Sequence, residues 1–358
     1  MTALKVVALI PAFNEADSIA VTIEAVLAQT RLPDKIVVIP NGCTDATAEI
    51  ARRYPVTVLE LPSLLHRKSG ALNIGWHAHA TDADVVLCLD ADTYLPPNAV
   101  SDWEAEIASD PLLGGTSSKF TMQAPDLLTR LQKAEFAAWT DTALRRGRTH
   151  VLAGTGCAIS GAVLRQVANR DDREGPWSYA SATEDFELTY RIRELGFHCI
   201  VSPTVRAYTD SMKTVKALWG QRMKWQVGTV EDLFAIGVNR LTLRDWGQQV
   251  MGIFGAFLKS LWLLVIFGQW AYYGELNISW VWWLLPILFI ALDVKRSFRI
   301  PHRDRRDTLL AASFLPYEAF QWLRAAWFVR SWLDVMTQRL TGLRRDRWAA
   351  QYKAEGVM

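Results

Sequence analysis

The sequence predicts an α/β protein, a doubly wound, mostly parallel sheet followed by an α-helical membrane region. Three observations predict it. Short β-rich runs alternate with helically patterned segments through residues 1–245, beginning at Lys5–Ile10. The apolar run Val85–Leu89 leads straight into Asp90 and Asp92, as a buried central strand does where it opens on a ligand crevice. Beyond residue 248, long apolar runs and much of the tryptophan replace the alternation.

Composition excludes several classes. A length of 358 residues allows two domains, and 39 basic against 37 acidic residues gives no reason to expect nucleic acid as a partner. The cysteines at 43, 88, 157 and 199 show no Cys-x-x-Cys spacing, so neither a zinc site nor a disulfide framework is indicated. The first apolar run, Val6–Ile10, is too short for a signal-peptide core, so residues 1–245 are expected to face a reducing cytosol.

In order, strand Lys5–Ile10 is broken by Pro11-Ala12-Phe13-Asn14-Glu15. Asp17 or Ser18 then caps a helix to about Thr30, with Ile19, Ile23, Val26 and Leu27 at helical spacing. Strand Lys35–Ile39 ends in Pro40-Asn41-Gly42-Cys43-Thr44-Asp45, and a helix over 46–53 and a strand over 56–61 follow. His66–Asn73 opens a helix to about Ala80. Arg67 and Lys68 at its start run against the helix dipole, a misfit expected where a cation serves a phosphate. Asp90 and Asp92, two apart, share a face and suit a hard divalent cation. A helix is predicted over 126–146. Val151–Ser160 reads as a strand with a glycine-rich interruption, which either admits a ligand or makes a bulge. Thr183 caps a helix over Phe186–Leu195 with Glu184 and Asp185 in its first turn, and strand 198–201 follows.

The order Pro-Ala-Phe-Asn-Glu, Asn-Gly-Cys-Thr-Asp, Lys-x-Gly-Ala-Leu-Asn, Asp-Ala-Asp and Thr-Glu-Asp resembles the GT-A domain of family-2 inverting glycosyltransferases. Trp219–Trp225, on its own an amphipathic interfacial helix, resembles the Gln-x-x-Arg-Trp signature of the family's membrane-bound branch, with Lys224 in place of Arg. The resemblance covers roughly residues 5–230. It implies a nucleotide-sugar donor, usually a UDP-sugar, with Mn²⁺ or Mg²⁺. Pro11, Ala12 and Glu15 would cradle the nucleoside, Asn41 would face the base where many members carry Asp, and Lys68 would lie near the donor. Asp90 would contact nucleoside and metal, and Asp92 would ligate the metal. Asp185 would take the acceptor hydroxyl's proton as general base. Gly156, Glu184, Gln221 and Trp225 would line the acceptor site, and Arg222 or Lys224 would face the diphosphate.

Val250–Tyr273 and Leu276–Val294 are predicted to span the membrane. The six basic residues in loop 295–306 put that loop and residues 1–245 in the cytosol by the positive-inside rule. Leu309–Leu333, with Glu318, Arg324 and Arg330 scattered around it, is expected to lie at the interface or against protein, and a basic tail follows. The expected acceptor is a growing polysaccharide, as in cellulose-, chitin- and hyaluronan-synthase-like enzymes. So few membrane helices would need an oligomer to enclose a polymer channel. Single-sugar transfer to a membrane lipid, polyprenyl phosphate or sphingolipid-like, is the alternative. An inactive membrane scaffold would have lost charges, yet Lys68, Asp90, Asp92 and Asp185 are all present.

Overall fold

Alternate residues of β1 (Val6–Ala12) enter two separate cores: Val6, Ala8, Ile10 and Ala12 in one, Val7 and Leu9 in the other. A strand apolar on both faces must be covered on both, and this one is. The computed structural model describes residues 4–63, 66–170, 173–275, 281–343 and 345–357. The other strands are β2 (Lys35–Pro40), β3 (Thr57–Val58), β4 (Val85–Cys88), β5 (Leu113–Thr121), β6 (Cys157–Ser160) and β7 (His198–Tyr208). With β1 they form one sheet in the order β3-β2-β1-β4-β6-β5-β7. Pairing is parallel except at β6, which runs antiparallel to β4 and β5. Helices α1 (Ile19–Leu27), α2 (Thr47–Ala51), α3 (Arg67–His79), α4 (Ala99–Ser109), α5 (Leu127–Arg146), α6 (Gly161–Ala168) and α7 (Glu184–Glu194) alternate with the strands. Ile19, Ile23, Val100 and Trp103 bring α1 and α4 to one face. Leu72, Trp76, Val163, Leu188 and Ile192 bring α3, α6 and α7 to the other.

The doubly wound, mostly parallel architecture is as expected from the sequence, with corrections at several elements. β1 continues through Pro11 and Ala12, which pair with Ile39 and Pro40. The β1–β4 pairing ends at Leu9, so a residue lacking an N–H at Pro11 costs no bond on that side. Helices α4 and α6 and strand β5 were not anticipated. The strand expected from Val151 begins only at Cys157, after a turn at Gly154 and Thr155, and β7 runs on to Tyr208.

By its contacts the chain forms two compact units. One holds the chain up to Ala124 with Trp139–Ser211 and contains the sheet; the other holds Pro125–Ala138 with Met212–Gly356. The second unit is built on α8 (Val215–Ile236), α9 (Leu243–Tyr273), α10 (Val281–Ser297), α11 (Arg305–Ala312), α12 (Phe314–Thr341) and α13 (Arg347–Glu355). Leu218, Met223, Val227 and Val230 of α8 pack with Phe320, Trp327 and Val335 of α12 and Leu131 of α5. Arg130 and Lys133 of α5 bind Asp304 and Asp307, which form the capping box of α11.

Among the described residues, α9 is the helix long and apolar enough to cross a membrane. Its 31 residues rise about 46 Å, more than the ~30 Å hydrocarbon layer. Val250, Phe254, Phe257, Leu264 and Phe267 are exposed along it. Of the second predicted span, residues 276–280 lie outside the described residues, and α10 has 17 residues. The segment predicted over 309–333 divides at Ser313 into the end of α11 and most of α12, which packs against α8 and α9. Lys259 of α9 pairs there with Glu318 of α12.

Candidate active site

Helix α3 begins unusually: His66 and Arg67 take left-handed φ angles of 47° and 53°, a conformation that costs energy in non-glycine residues. Two contacts offset this. The Asn41 side-chain amide donates to the Arg67 carbonyl at 2.7 Å. The His66 ring stacks on Tyr179 with centroids 4.1 Å apart. Further along α3, Asn73 donates to the Trp177 carbonyl at 2.7 Å and accepts from the Trp177 N–H at 3.0 Å, fixing the approach to α7.

Val86 and Cys88 face the core covered by α3 and α7; Asp90 follows just past the end of β4, and Asp92 lies in the turn beyond it. Lys68 of α3 pairs with Asp90 and lies 3.6 Å from Glu184 Oε1. Burial opposes the charge on Lys68, but Asp90, Glu184 and Asp185 outweigh it and raise its pKa above the usual value. Beside them the Gly154 N–H donates to Asp185 Oδ2 at 3.4 Å. Asp185 Oδ1 accepts from the Phe186 N–H at 2.8 Å at the amino end of α7. A buried ion pair holds that helix: Arg173 grips Glu187 at 2.7 and 3.0 Å, and Arg191 adds a contact of 2.7 Å.

Asp92 accepts from Thr209 Oγ1 at 3.0 Å. Burial, with Asp90 and Asp210 nearby, raises its pKa to about 7. Glu15 is raised to about 8, chiefly by burial, with Asp92, Asp90 and Asp210 adding to it against a hydrogen bond from Ser18. Asn14, at φ 53°, accepts from the Thr44 N–H at 2.7 Å, which joins the loop after β1 to the loop after β2. Among the described residues, no three or more His, Cys, Asp or Glu side chains form a closed metal cage. The donor set nevertheless suits a hard divalent cation. Two carboxylates supply oxygens, and substrate and water can complete the shell.

Asp90, Asp185, Lys68 and Glu184, all predicted from the sequence, are thus brought together, with Asp92 and Glu15 in electrostatic reach. Gly156 is buried instead against Ser118, Trp103 and Leu95, while Gly154 is the glycine beside Lys68. Thr209 and Asp210 were missed, and Gly154 was read only as part of the glycine-rich interruption. The only signal for the first two is a polar pair just past a strand end. In the second unit, Arg222 is buried, pairs with Glu135 at 2.9 Å, contacts Gln221 at 2.6 Å and covers the Trp225 ring at 4.4 Å. Lys224 lies 3.3 Å from the centre of the Trp348 ring.

Comparison with known proteins follows this geometry. Poly-β-1,6-N-acetyl-D-glucosamine synthases of Staphylococcus aureus are 26% identical over 263 residues, which cover 72% of this chain and 62% of the synthase. A probable glycosyltransferase of Bacillus subtilis, YdaM, is 28% identical over 240 residues, or 63% of this chain and 55% of that protein. The chain therefore spans less than two thirds of the length of these relatives. The mannosyltransferase PcManGT of Pyrobaculum calidifontis, solved in complex with GDP-Man and Mn²⁺, superposes with a TM-score of 0.65 at 16% identity, covering 93% of this chain and 87% of that one. That likeness establishes the GT-A fold. The family model described as "Glycosyltransferase like family 2" matches residues 4–228. This span contains the sheet, the paired carboxylates and the Thr-Glu-Asp helix start, and the chain belongs to the family-2 glycosyltransferases.

Proposed function

We propose that this enzyme is a membrane-anchored, inverting glycosyltransferase that moves a sugar from a nucleotide-sugar, a UDP-sugar by preference, onto a growing polysaccharide. The observation that carries the reading is the approach of Asp90 and Asp185 to one residue, Gly154. A carboxylate that takes the acceptor proton and one that serves the donor have to stand on either side of the reacting carbon. In this reading Asp185 holds the proton at Oδ2 or Oδ1 as the acceptor oxygen attacks. Pro11, Ala12, Glu15 and Asn41 hold the nucleoside. Glu184, beside Asp185 at the start of α7, serves the acceptor. Asp90 and Asp92 would hold Mn²⁺ or Mg²⁺, which when bound neutralises the leaving diphosphate.

The similarity to poly-N-acetylglucosamine synthases supports a polymer as acceptor. The length and exposure of α9 support anchoring in a bilayer. The basic segment 295–306 supports a cytosolic catalytic unit.

The test uses lipid-reconstituted protein with Mn²⁺, labelled UDP-sugars and GDP-mannose, and the Asp185→Asn variant as control. A long, glycosidase-digestible product from wild type alone, abolished by chelator and restored by Mn²⁺, is the expected result. One label per solvent-extractable lipid would replace the polymer by a lipid acceptor. Transfer that survives Asp185→Asn would refute the assignment of the base.

A further inference from the structure

Lys68 is only 17% exposed along its side chain, so its charge is held away from water. Acids from two elements offset that burial: Asp90 past the end of β4, and Glu184 and Asp185 at the start of α7. Space for the ammonium comes from a third segment. A Cβ on Gly154 would collide with Lys68 Nζ and would lie 3.5 Å from Asp90 Oδ1. The φ angle of Gly154 is not in the left-handed region, so the backbone does not demand glycine there. A Cβ there would instead push the end of the Lys68 side chain away from its place beside Asp90. The same residue's N–H donates to Asp185 Oδ2.

We infer that Lys68 is a positioning residue for the base. It ties Asp90 to the Glu184–Asp185 turn and so fixes where Asp185 meets the acceptor hydroxyl, and Gly154 is the gap that lets it do so. The inference rests on the reading of Asp185 as base and deepens it. It departs from a donor-contacting role for Lys68, because the ammonium is directed at Asp90 and Glu184. Asp90 can serve both partners, one oxygen toward Lys68 and the other free for a cation or nucleoside.

The experiment measures kcat, donor KM and the UDP dissociation constant for wild type, Lys68→Met, Lys68→Arg and Gly154→Ala in the full-length, lipid-reconstituted protein. Misplacing a base by an ångström costs on the order of 100-fold in kcat, with donor KM and UDP affinity within about threefold of wild type. That result is expected for Lys68→Met and for Gly154→Ala. Gly154→Ala keeps every charge, so its loss would come from geometry alone. Lys68→Arg is expected to fail as well, since a guanidinium is larger than the gap, whereas a diphosphate-binding cation would tolerate that change. UDP affinity falling in step with kcat/KM while kcat holds would overturn the inference. So would full activity in Lys68→Arg, or loss of cooperative melting in both Lys68→Met and Gly154→Ala. Wild-type protein that transfers no sugar from any donor would instead refute the function on which the inference rests.

Discussion

The Asn41 amide and the Arg67 carbonyl are 2.7 Å apart, and this bond steadies two consecutive left-handed residues at the start of α3. It gives a physical reason for Asn rather than Asp at position 41, because at neutral pH only the amide has a hydrogen to give. Asn41→Asp should destabilise the protein by ~1–3 kcal/mol at neutral pH. The defect should shrink in acid, where a protonated carboxyl can donate. Thermal melts of both proteins at pH 7 and pH 4 check this, and an equal gap at both would contradict it.

Glu187 is the second prediction. It serves Arg173 and Arg191 in a nearly water-free setting, with Arg173 4% and Glu187 7% exposed. Glu187→Gln leaves buried guanidinium charge without its counter-ion, which costs about 3–5 kcal/mol and lowers Tm on the order of 10 °C. Activity should fall too, because this pair anchors the helix whose first turn holds Asp185. A melting temperature within a degree of wild type would be the contrary outcome.

Asp304 gives a pH dependence. Its carboxylate takes two hydrogen bonds from Arg130, at 2.6 and 2.7 Å, which hold its pKa well below the usual range. A depressed folded pKa contributes stability above the unfolded value, and that contribution is lost as pH falls through the folded one. Asp304→Asn keeps a capping oxygen and drops the charge. The Tm difference between the two proteins should be constant from about pH 5 to 8 and narrow below about pH 4. A gap that widens in acid would reverse the sign and reject the argument.

Cysteine labelling tests the interior. Burial pushes the Cys199 thiol up to about 12, while a hydrogen bond with Cys88, together with burial, holds Cys157 well above its usual value. Cys43 is half-buried and also raised, chiefly by burial. At pH 7.5 iodoacetamide should modify Cys43 slowly and leave Cys157 and Cys199 intact, and all four cysteines should react in denaturant. Peptide mapping by mass spectrometry distinguishes the outcomes, and native labelling at Cys199 would contradict the burial described.

How much of this was legible differs by element. The run into Asp90 could be read because an uninterrupted apolar stretch ends abruptly in carboxylates, and Lys68 because a cation stands against a helix dipole, while the first turn of α7 was legible only through its place after the other motifs. Strand β5 could not be read. Its sequence, Leu-Gly-Gly-Thr-Ser-Ser-Lys-Phe-Thr, is poor in β-formers, yet its first six residues and its last are buried. The glycines exist because neighbours press on them: a Cβ on Gly115 would lie 2.7 Å from Leu152 Cδ1, and one on Gly114 would strike Ile192. That constraint is tertiary and leaves no periodic trace. The direction of β6 was equally hidden, since four residues pair as well either way. Its reversal brings the turn before β6 to the edge where β4 ends, which is how Gly154 meets Asp90. The ion pair of Arg222 with Glu135 needs residues 87 positions apart, beyond any local pattern.

The ion pair between Lys259 and Glu318 also sets a mechanical rule for the apolar helices. A slide of α9 past α12 by one turn, about 5.4 Å, would separate the two charges. The two helices are therefore geared together at one register. Any tilt of α9 must carry α12 with it, and neither helix can slide along its axis alone.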